Sequence, residues 1–424
     1  MDGPTQSAEV AIVGGGAAGL ATAIFFARHA PGRSVVVLDG AAKLGAKILV
    51  SGGGRCNVTN RTVSAADFYG GSPNVVKRIL AEFSASDTVA FFNKLGVELH
   101  EEEHGKLFPN TNDARTVLDA LLNEAGRVGV QLLAGHRVTD VSLATDGFAV
   151  AAGATTTFAR AVVLATGGRS LPKSGSDGFG YQLAQNLGHS LVPVTPALVP
   201  LVLDGEFHKP LSGVSHPVEL TVHADGAKPV RIRGMLLWTH FGISGPVVLD
   251  ASRHWHRARV DGRDATVSAS FLPDHDPAAI DGVLIALASS SPAVHLRNAL
   301  ARLLPSRVAD AVVGKLNIEP STVMAQLTKD ARRLLGHALG QWSLPVRDSR
   351  GYKYAEVTAG GIPLDEVDPR TLASRKCPGL YLVGEILDVD GRIGGFNFQW
   401  SWSSAWVAAM ALARRFNASE LQTP

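Results

Sequence analysis

Cysteine is scarce in this sequence, and its scarcity excludes a disulfide-stabilised fold or a dithiol redox centre. Only two of the 424 residues are cysteines, Cys56 and Cys377, and no Cys-x-x-Cys motif occurs. Long apolar runs are missing too, since none approaches the ~18 residues that a membrane-spanning helix needs. The first residues show no basic and apolar signal-peptide pattern. We therefore expect no membrane partner and a cytoplasmic protein.

An excess of charge of either sign is also absent. Forty basic residues stand against 38 acidic ones, which leaves a formal net charge of +2. Such a balance gives no overall field to attract nucleic acid, so no nucleic-acid partner is expected. With 46% apolar and 18% charged residues the composition is globular, and the length predicts two or three domains. The oligomeric state is not indicated by these numbers.

The N-terminal segment has the pattern of a strand, a helix and a second strand. Residues 10–13 form a short apolar run, apolar residues recur at helical spacing from 20 to 27, and residues 35–38 form a second apolar run. This order is typical of a βαβ unit in a buried parallel sheet.

A Gly-x-Gly-x-x-Gly motif lies between the first run and the helix, and it predicts a dinucleotide-binding turn. Gly14 permits the tight turn, Gly16 lets backbone N–H groups approach a pyrophosphate, and Gly19 allows the helix to pack closely on the strand. The N-terminus of the helix stabilises phosphate charge. Asp39 ends the second strand, twenty residues after Gly19, where its carboxylate can accept hydrogen bonds from ribose hydroxyls.

Later segments favour FAD over NAD as the dinucleotide. An apolar strand at 162–165 runs into Thr166 and Gly167 and resembles the turn that returns the chain to the cofactor in FAD-binding proteins. Residues 381–383 lead into Gly384 and Glu385, where an acid would hold the ribitol chain. The glycines that follow open a helix whose N-terminus would stabilise negative charge on a reduced flavin. An NAD dehydrogenase has no use for this C-terminal return.

The character of the sequence changes between these two parts. From about residue 190 prolines become frequent, alternating segments at 218–222 and 230–232 predict antiparallel sheet, and residues 278–304 and 321–339 have helical periodicity. We therefore predict an α/β fold in which one domain is interrupted by an insertion. The predicted boundaries are 1–190 for the first part of the FAD-binding domain, 191–275 for an inserted β-rich domain, 276–348 for an inserted helical segment and 349–424 for the C-terminal part of the FAD-binding domain.

Several blocks of the sequence are similar to those of one family of bacterial flavoproteins. They extend over the length of the chain and together resemble the BaiN-like NAD(P)/FAD-dependent oxidoreductases. The blocks are KILVSGGGRCNVTN at 47–60, LFP at 107–109, THFGISGP at 239–246, VTAGG at 357–361 and the segment from 384 to 400 that contains GGFNFQW.

The resemblance implies a two-dinucleotide-binding-type, Rossmann-like FAD domain interrupted by an inserted β-barrel-like and helical substrate domain. It also implies activities such as reduction of conjugated double bonds in bile acids or oxidation of aminoacetone. The sequence departs from the family after Phe108-Pro109, where a serine is common, and at Phe396, where tyrosine is common; these changes concern what fits beside the flavin. The residues expected to bind FAD are Gly14, Gly16, Ala17, Ala18, Gly19, Asp39, Lys47, Ser51, Gly52, Arg55, Cys56, Asn57, Val138, Thr166, Gly167, Gly384, Glu385, Gly394, Gly395, Phe396 and Asn397.

The resemblance also bears on the roles of single side chains. Arg55 offers a fork of donors for phosphate oxygens or the flavin edge. Cys56 is expected to be a small packing residue against the cofactor and not a covalent tether. His240 is the first candidate for a proton donor or base and Tyr354 the second, with a structural histidine and a core aromatic residue as the alternatives. His254 and its neighbour His256 have the spacing of a metal pair, but no third ligand is clustered with them, so we expect no metal.

The leading hypothesis is FAD-dependent hydride transfer between the flavin and a small organic substrate. No second glycine motif follows a strand, which argues against a dedicated NAD(P)H domain. Either NAD(P)H docks transiently at the flavin, or the substrate reduces the flavin and oxygen reoxidises it, as in an amine or aminoketone oxidase. A flavin-dependent RNA-modifying enzyme is the alternative from another class, and a non-catalytic flavin sensor is the third.

Overall fold

The computed structural model describes residues 5–319 and 321–420, without the side chains of residues 277, 419 and 420. The chain forms two units, each with its own apolar core. The first unit comprises the residues up to Val194 and from Glu356 onward, and the inserted unit comprises Thr195–Ala355. Within the described ranges, no helix is long and apolar enough to cross a bilayer.

The strands and helices alternate in the first unit, whereas strands precede most helices in the inserted unit. The strands are β1 Thr5–Val13, β2 Val35–Asp39, β3 Thr59–Asn60, β4 Phe68–Gly70, β5 Leu99–Glu102, β6 Lys106–Pro109, β7 Gln131–Ala134, β8 Val138–Ala144, β9 Gly147–Ala152, β10 Thr155–Leu164, β11 Val192–Ala197, β12 Leu201–Leu203, β13 Ser215–Ala224, β14 Val230–Thr239, β15 Gly242–Ser244, β16 Ala265–Ser270, β17 Trp342–Leu344, β18 Val346–Ser349, β19 Val357–Gly361, β20 Leu380–Leu382 and β21 Val389–Gly391. The helices are α1 Ala17–His29, α2 Ala46–Val50, α3 Pro73–Glu82, α4 Ala85–Lys94, α5 Ala114–Arg127, α6 Phe179–Asn186, α7 Pro246–Val260, α8 Ile280–Ser290, α9 Leu296–Leu300, α10 Ser306–Lys315, α11 Lys329–Gly340 and α12 Phe396–Glu420.

The core of the first unit is a sheet whose central strands run parallel. β1 pairs in parallel with β2 and with β10, β2 pairs with β7, and the last residues of β10 pair with β20. Residues 10–13 of β1 and 161–164 of β10 are buried throughout, which explains their unbroken apolar sequence. β8 and β9 add an antiparallel hairpin to the early part of β10. The predicted α/β fold with a Rossmann-like sheet is confirmed.

Helices α1 and α12 pack against each other in the first unit. Residues 18–27 of α1 are all buried. The ring of Phe25 lies 4.9 Å from that of Phe91, 5.2 Å from that of Phe83 and 5.1 Å from that of Trp406, measured between centroids. This aromatic cluster fixes the C-terminal helix against the helix that follows the glycine motif.

The inserted unit is built on a curled antiparallel sheet. Its strand order is β17-β16-β13-β14-β15-β12-β18. The edge strands β17 and β18 are consecutive in sequence, and only Pro345 separates them. Because one intervening residue spans no more than about 7 Å between the flanking Cα atoms, the sheet must curl until its two edges meet, as in a barrel.

The helices predicted in the inserted unit have the wrong bounds. Instead of one helix over 278–304, α8 ends at Ser290 and α9 begins at Leu296. Pro292 lies between them, and a proline has no N–H to donate and a ring that clashes with the preceding turn. In the segment predicted at 321–339, α11 begins only at Lys329, after the N-cap Thr328. The apolar spacing on which both predictions rest extends into residues whose backbone is not helical.

Glu124 in α5 is a buried carboxylate held by two arginines. It accepts hydrogen bonds from Arg127 Nε at 2.7 Å and from Arg28 Nε at 2.6 Å, and its side chain is 6% exposed. The hydrogen bond from Arg127, reinforced by Arg28, holds the pKa of Glu124 below its usual range. The contacts of Glu124 with the two arginines therefore stabilise the fold fully above the unfolded-state pKa of the carboxyl group, about 4.3. This stabilisation is lost as the pH falls through the lower folded-state pKa.

Glu124→Gln is expected to lower the free energy of unfolding by about 2 kcal/mol at neutral pH, because charge-assisted hydrogen bonds are lost. Urea unfolding at neutral pH measures this difference. Glu82→Gln, at an exposed carboxylate, is the control and should change the free energy by less than about 0.5 kcal/mol. The effect of Glu124→Gln should shrink below about pH 4. An effect of the same size in acid would contradict the electrostatic origin.

Candidate cofactor-binding site

The three motif glycines have different surroundings. Gly14 has φ +109°, and a Cβ there would overlap the carbonyl oxygen of Ala165 in the turn after β10. A Cβ at Gly19 would overlap the carbonyl oxygen of Gly14. Around Gly16, in contrast, no atom lies within 4 Å of the position that a Cβ would take. Gly14 and Gly19 are therefore required by packing, whereas Gly16 leaves an open cradle that a side chain would fill.

The N-terminus of α1 lies at this cradle. Gly16 is the N-cap residue, no side chain caps the helix, and its first turn contains no acidic residue. The N–H of Leu20 donates to the Gly16 carbonyl at 3.0 Å, so the N–H groups of Ala17, Ala18 and Gly19 have no intrahelical acceptor. These donors and the positive end of the helix dipole suit a phosphate group.

Asp39 stands beside the same turn, at the end of β2. Its Oδ2 accepts a hydrogen bond from the Gly15 N–H at 2.6 Å, and its Oδ1 accepts one from the Ala41 N–H at 2.7 Å. These bonds fix the carboxylate and leave each oxygen a further lone pair for a ribose hydroxyl. A negative charge here also disfavours a 2′-phosphate.

Lys47 and Glu385 bind each other although they are 338 positions apart in the sequence. Lys47 Nζ lies 2.5 Å from Glu385 Oε2 and 2.6 Å from Ser170 Oγ. Glu385 Oε1 accepts hydrogen bonds from Ser170 Oγ at 2.9 Å and from the Thr358 N–H at 2.8 Å. Sequence reasoning treats Lys47 and Glu385 as separate cofactor contacts, and the structure joins them in one network. Both side chains remain partly exposed, at 25% and 17%, and so keep surface for a ligand.

Ser170 and Thr358 belong to this network but are not among the predicted site residues. Thr358 Oγ1 accepts hydrogen bonds from the N–H groups of Arg169 at 2.7 Å and Ser170 at 3.0 Å, which fixes the turn that begins at Thr166 and Gly167. Two features of the sequence point to these residues. Ser170 lies three residues beyond Gly167, and Thr358 belongs to the VTAGG block.

The loop at 51–57 is held by its own backbone and by β6. Gly52 has φ +54°, and Cys56 has the unusual value of +59° for a residue with a side chain. The Cys56 N–H donates to the Ser51 carbonyl at 3.1 Å. The Asn57 side-chain oxygen accepts a hydrogen bond from the Leu107 N–H at 3.2 Å. The LFP block therefore accompanies the loop because β6 supplies its partners.

Cys56 has a buried side chain. The residue has no exposed surface, and burial raises the pKa of its thiol to about 12, against a smaller lowering by the Ser51 side chain. The thiol is protonated at neutral pH, so it is neither a nucleophile nor a flavin tether. The side chain packs inside the first unit, and its expected contact with the cofactor stays a prediction.

Arg55 uses its guanidinium within the protein. Nη1 donates to Glu102 Oε1 at 2.6 Å, and the group lies over the ring of Phe108, 4.1 Å from the centroid. The expected contact of Arg55 with phosphate oxygens or the flavin edge stays a prediction, since the side chain is still 39% exposed. A carboxylate occupies part of the fork of donors, and the contacts join the loop to β5 and β6.

The predicted turn at Gly394-Gly395 opens α12. The two glycines have φ of +130° and +92°. Asn397 closes the turn by donating to the Gly391 carbonyl and accepting from the Gly391 N–H, each at 2.8 Å. Phe396 has no exposed surface, so its ring is a core group of the first unit. The predicted contact of Phe396 with FAD stays a prediction.

Two further predicted residues occupy interior positions. Gly384 accepts a hydrogen bond from Trp400 Nε1 at 3.1 Å and donates one to Ser404 Oγ at 3.0 Å, which ties the end of β20 to α12. Val138 begins β8 and is buried. Their contacts with FAD stay predictions.

His240 and Tyr354 lie in the inserted unit. His240 is exposed in the turn between β14 and β15, with its ring 5.1 Å from that of Phe241. Tyr354 is 48% exposed, and the guanidinium of Arg350 lies 3.5 Å from the centroid of its ring. The alternative of a core aromatic role is wrong for Tyr354, and the role of either residue in proton transfer stays a prediction.

His254 and His256 lie in α7. Burial, the largest cause for each, lowers both pKa values to about 4, so both imidazoles are neutral at physiological pH. Over residues 5–319 and 321–420, no three His, Cys, Asp or Glu side chains are grouped so that they could hold a metal ion.

The site residues of the first unit meet at the carboxyl ends of parallel strands. Gly14 follows β1, Asp39 ends β2, Thr166 follows β10 and Gly384 follows β20. Ligands of open α/β sheets bind at this end. An open cradle at a helix N-terminus, a fixed carboxylate and a charged network fit the phosphates, ribose and remaining polar groups of FAD.

Comparison with known proteins agrees with this geometry. The family model of the HI0933-like protein Rossmann domain matches residues 8–411. The chain is 36% identical over 408 residues to the ribosomal RNA dihydrouridine synthase of Escherichia coli, which covers 95% of this chain and 97% of that protein. It is 33% identical over 406 residues to the 3-dehydro-bile acid delta(4,6)-reductase of Clostridium scindens, covering 96% and 99%.

A solved structure shares the fold. The 3-ketosteroid delta1-dehydrogenase of Sterolibacterium denitrificans resembles the chain with a TM-score of 0.51 and 12% identity, covering 97% of this chain and 100% of that one. The family match and the two relatives extend over nearly the whole chain. The protein is an FAD-dependent oxidoreductase, and it belongs to the HI0933-like family of Rossmann-domain proteins.

Proposed function

We propose that this protein saturates a carbon–carbon double bond conjugated to a carbonyl group, and that its substrate is a uracil ring in RNA. The chemistry shared by the two relatives carries the proposal. Dihydrouridine is uridine with two hydrogens added across a double bond conjugated to a carbonyl. A delta(4,6)-reductase acting on a 3-oxo steroid also adds hydrogen to double bonds conjugated to a carbonyl.

Such a reduction needs a hydride on the carbon β to the carbonyl and a proton on the α carbon. FAD, when bound, supplies the hydride chemistry, and NAD(P)H is our proposed transient reductant. The protein must hold the ring, exclude water and deliver the proton. His240 is our first candidate for the proton donor and Tyr354 the second.

Thiol chemistry has no support in the described structure. Cys56 and Cys377 are both buried and unpaired with each other, and burial raises the pKa of both thiols. A protonated buried thiol is a poor nucleophile. The flavin is therefore the redox group that we assign to the reaction.

The distribution of charge supports an RNA substrate better than the total charge does. The inserted unit has 18 Lys and Arg residues against 14 Asp and Glu residues, whereas the rest of the chain has 22 against 24. We expected no nucleic-acid partner because the net charge of the whole chain is only +2. That sum conceals the difference in charge between the two units. A positive excess on one unit is what phosphate binding requires.

Reduction of a small conjugated enone is the second candidate function, and the similarity to the bile-acid reductase favours it. The two candidates share the same chemistry and differ in how the substrate is recognised. Reduction of the flavin by NAD(P)H is therefore expected for both candidates, and only a test of the substrate that reoxidises the flavin distinguishes them.

The first expected result concerns both half-reactions. The FAD-loaded protein, kept anaerobic, should lose its flavin absorbance within seconds of adding NADH or NADPH. Adding an unmodified ribosomal RNA transcript to the reduced protein should restore the absorbance and add the mass of two hydrogens to a uridine. Absorbance and nuclease-digest mass spectrometry measure these steps, and a transcript with dihydrouridine in place of uridine is the control.

Other outcomes assign the alternatives. Reoxidation by a conjugated enone but not by RNA would contradict the RNA substrate and leave the reductase chemistry in place. A flavin that neither nucleotide reduces, but that an amine or aminoketone reduces with consumption of oxygen, would contradict the proposal and support an oxidase.

A second prediction separates the roles of the motif glycines. Gly16→Val should weaken FAD binding by roughly 100-fold or more while the fold is retained, because the added side chain enters open space intended for the phosphate. Gly19→Val should destabilise the fold itself, because its Cβ overlaps the Gly14 carbonyl. The bound FAD per protein, the FAD dissociation constant and thermal unfolding measure the two effects.

Gly126→Val is the matched control for Gly16→Val. Gly126 is exposed in α5, and nothing lies within 4 Å of its Cβ position either. It should retain full FAD content. Normal FAD binding by Gly16→Val would show that the phosphate does not occupy the cradle.

A further inference from the structure

The inserted unit carries a stack of one guanidinium and two aromatic rings at its surface. The guanidinium of Arg350 lies 3.5 Å from the centroid of the Tyr354 ring and 4.6 Å from that of the Phe241 ring. Tyr354 is 48% exposed, and the other two side chains are partly exposed. We call these three residues the Arg350 stack.

Several arginines of the same unit lie in ion pairs, whereas Arg350 lies in none among the described residues. Arg233, Arg332 and Arg347 each lie within an ion pair with an aspartate or glutamate. Over the ranges that the structure describes, no carboxylate forms such a pair with Arg350. A guanidinium that stacks on rings uses only its faces, so its in-plane N–H donors stay available for an acceptor.

The surroundings of the Arg350 stack are mostly basic. The exposed His240 and Lys353 directly precede Phe241 and Tyr354 in the sequence. In β18, which directly precedes Arg350, the carbonyl of Arg347 accepts a hydrogen bond from Nη1 of Arg259 in α7 at 3.3 Å. The carboxylates in the adjoining segments are Asp348, the exposed Glu356 two residues after Tyr354, and Asp204, which is already paired with Arg347 at 3.4 Å.

We infer that the Arg350 stack binds a nucleobase of single-stranded RNA. A base would stack on the open part of the Tyr354 ring, and the donors of Arg350 would bind a phosphate or base oxygen. Single-stranded RNA is recognised by exposed aromatic rings and arginine planes set in a positive surface. The inference rests on the proposed RNA substrate, and it gives the Tyr354 ring a role in binding that does not depend on the hydroxyl named above as the second candidate for the proton donor.

Fluorescence anisotropy of a labelled oligouridylate, titrated with the FAD-loaded protein, tests this inference. Tyr354→Leu should weaken binding by roughly tenfold or more, because the stacking face is lost. Tyr354→Phe should stay within about twofold of the wild type, because the ring and its contact with Arg350 remain. Arg350→Gln should weaken binding and lower the salt slope by about one. Phe158→Leu, at an aromatic residue of the first unit that is 44% exposed, is the control and should bind normally.

The possible results are distinct. Weaker binding by Tyr354→Leu with normal binding by Tyr354→Phe and Phe158→Leu supports the inference. Equal affinity of Tyr354→Leu and wild type overturns it, as does an equal loss in the leucine and phenylalanine variants, which would assign the effect to the hydroxyl. If the wild-type protein binds no oligouridylate, both the Arg350 stack and the RNA substrate are overturned. Reduction of a small enone by the same preparation then decides separately whether the reductase chemistry holds.

Discussion

The close contact of backbone segments at the turn after β1 is the constraint on which the first unit depends. Gly14 lies against the carbonyl of Ala165, and Gly19 lies against the carbonyl of Gly14. A side chain at either position would move α1 away from the sheet. Because neither glycine has one, the N-terminus of α1 is held beside the open space at Gly16. The anion-binding cradle is therefore a direct consequence of helix-on-strand packing.

Long-range polar contacts join the two sequence parts of the first unit. Glu385, which follows β20, binds Lys47 from α2 and Ser170 from the turn after β10. Gln399 in α12 accepts hydrogen bonds from Thr59 Oγ1 at 2.6 Å and Thr88 Oγ1 at 2.9 Å. Buried polar groups are costly unless they are paired, so these contacts specify where the C-terminal segment packs. The inserted unit interrupts the sequence of this core without interrupting the core itself.

Sequence reasoning succeeded where one short segment contains all the information. The glycine motif, the apolar strands and the turn at 394–395 are local patterns, and the structure has them where they are predicted. The glycine-rich loop at 51–57 does not reveal that Arg55 is paired with Glu102, which lies in another strand, or that Cys56 is fully buried. The prediction of one helix over 278–304 is wrong because it followed the apolar spacing through Pro292, which lies between α8 and α9. The total charge concealed the excess on the inserted unit.

The sequence by itself determined the βαβ start, the dinucleotide turn and the class of cofactor, because strand periodicity and glycine conformations act over a few residues. The tertiary structure alone decided which polar groups remain for a ligand. It paired Lys47 with Glu385, paired Arg55 with Glu102 and placed Arg350 against the ring of Tyr354. The physical reason is that a side chain's availability depends on partners that are distant in sequence, and only the folded chain brings such partners within hydrogen-bond distance.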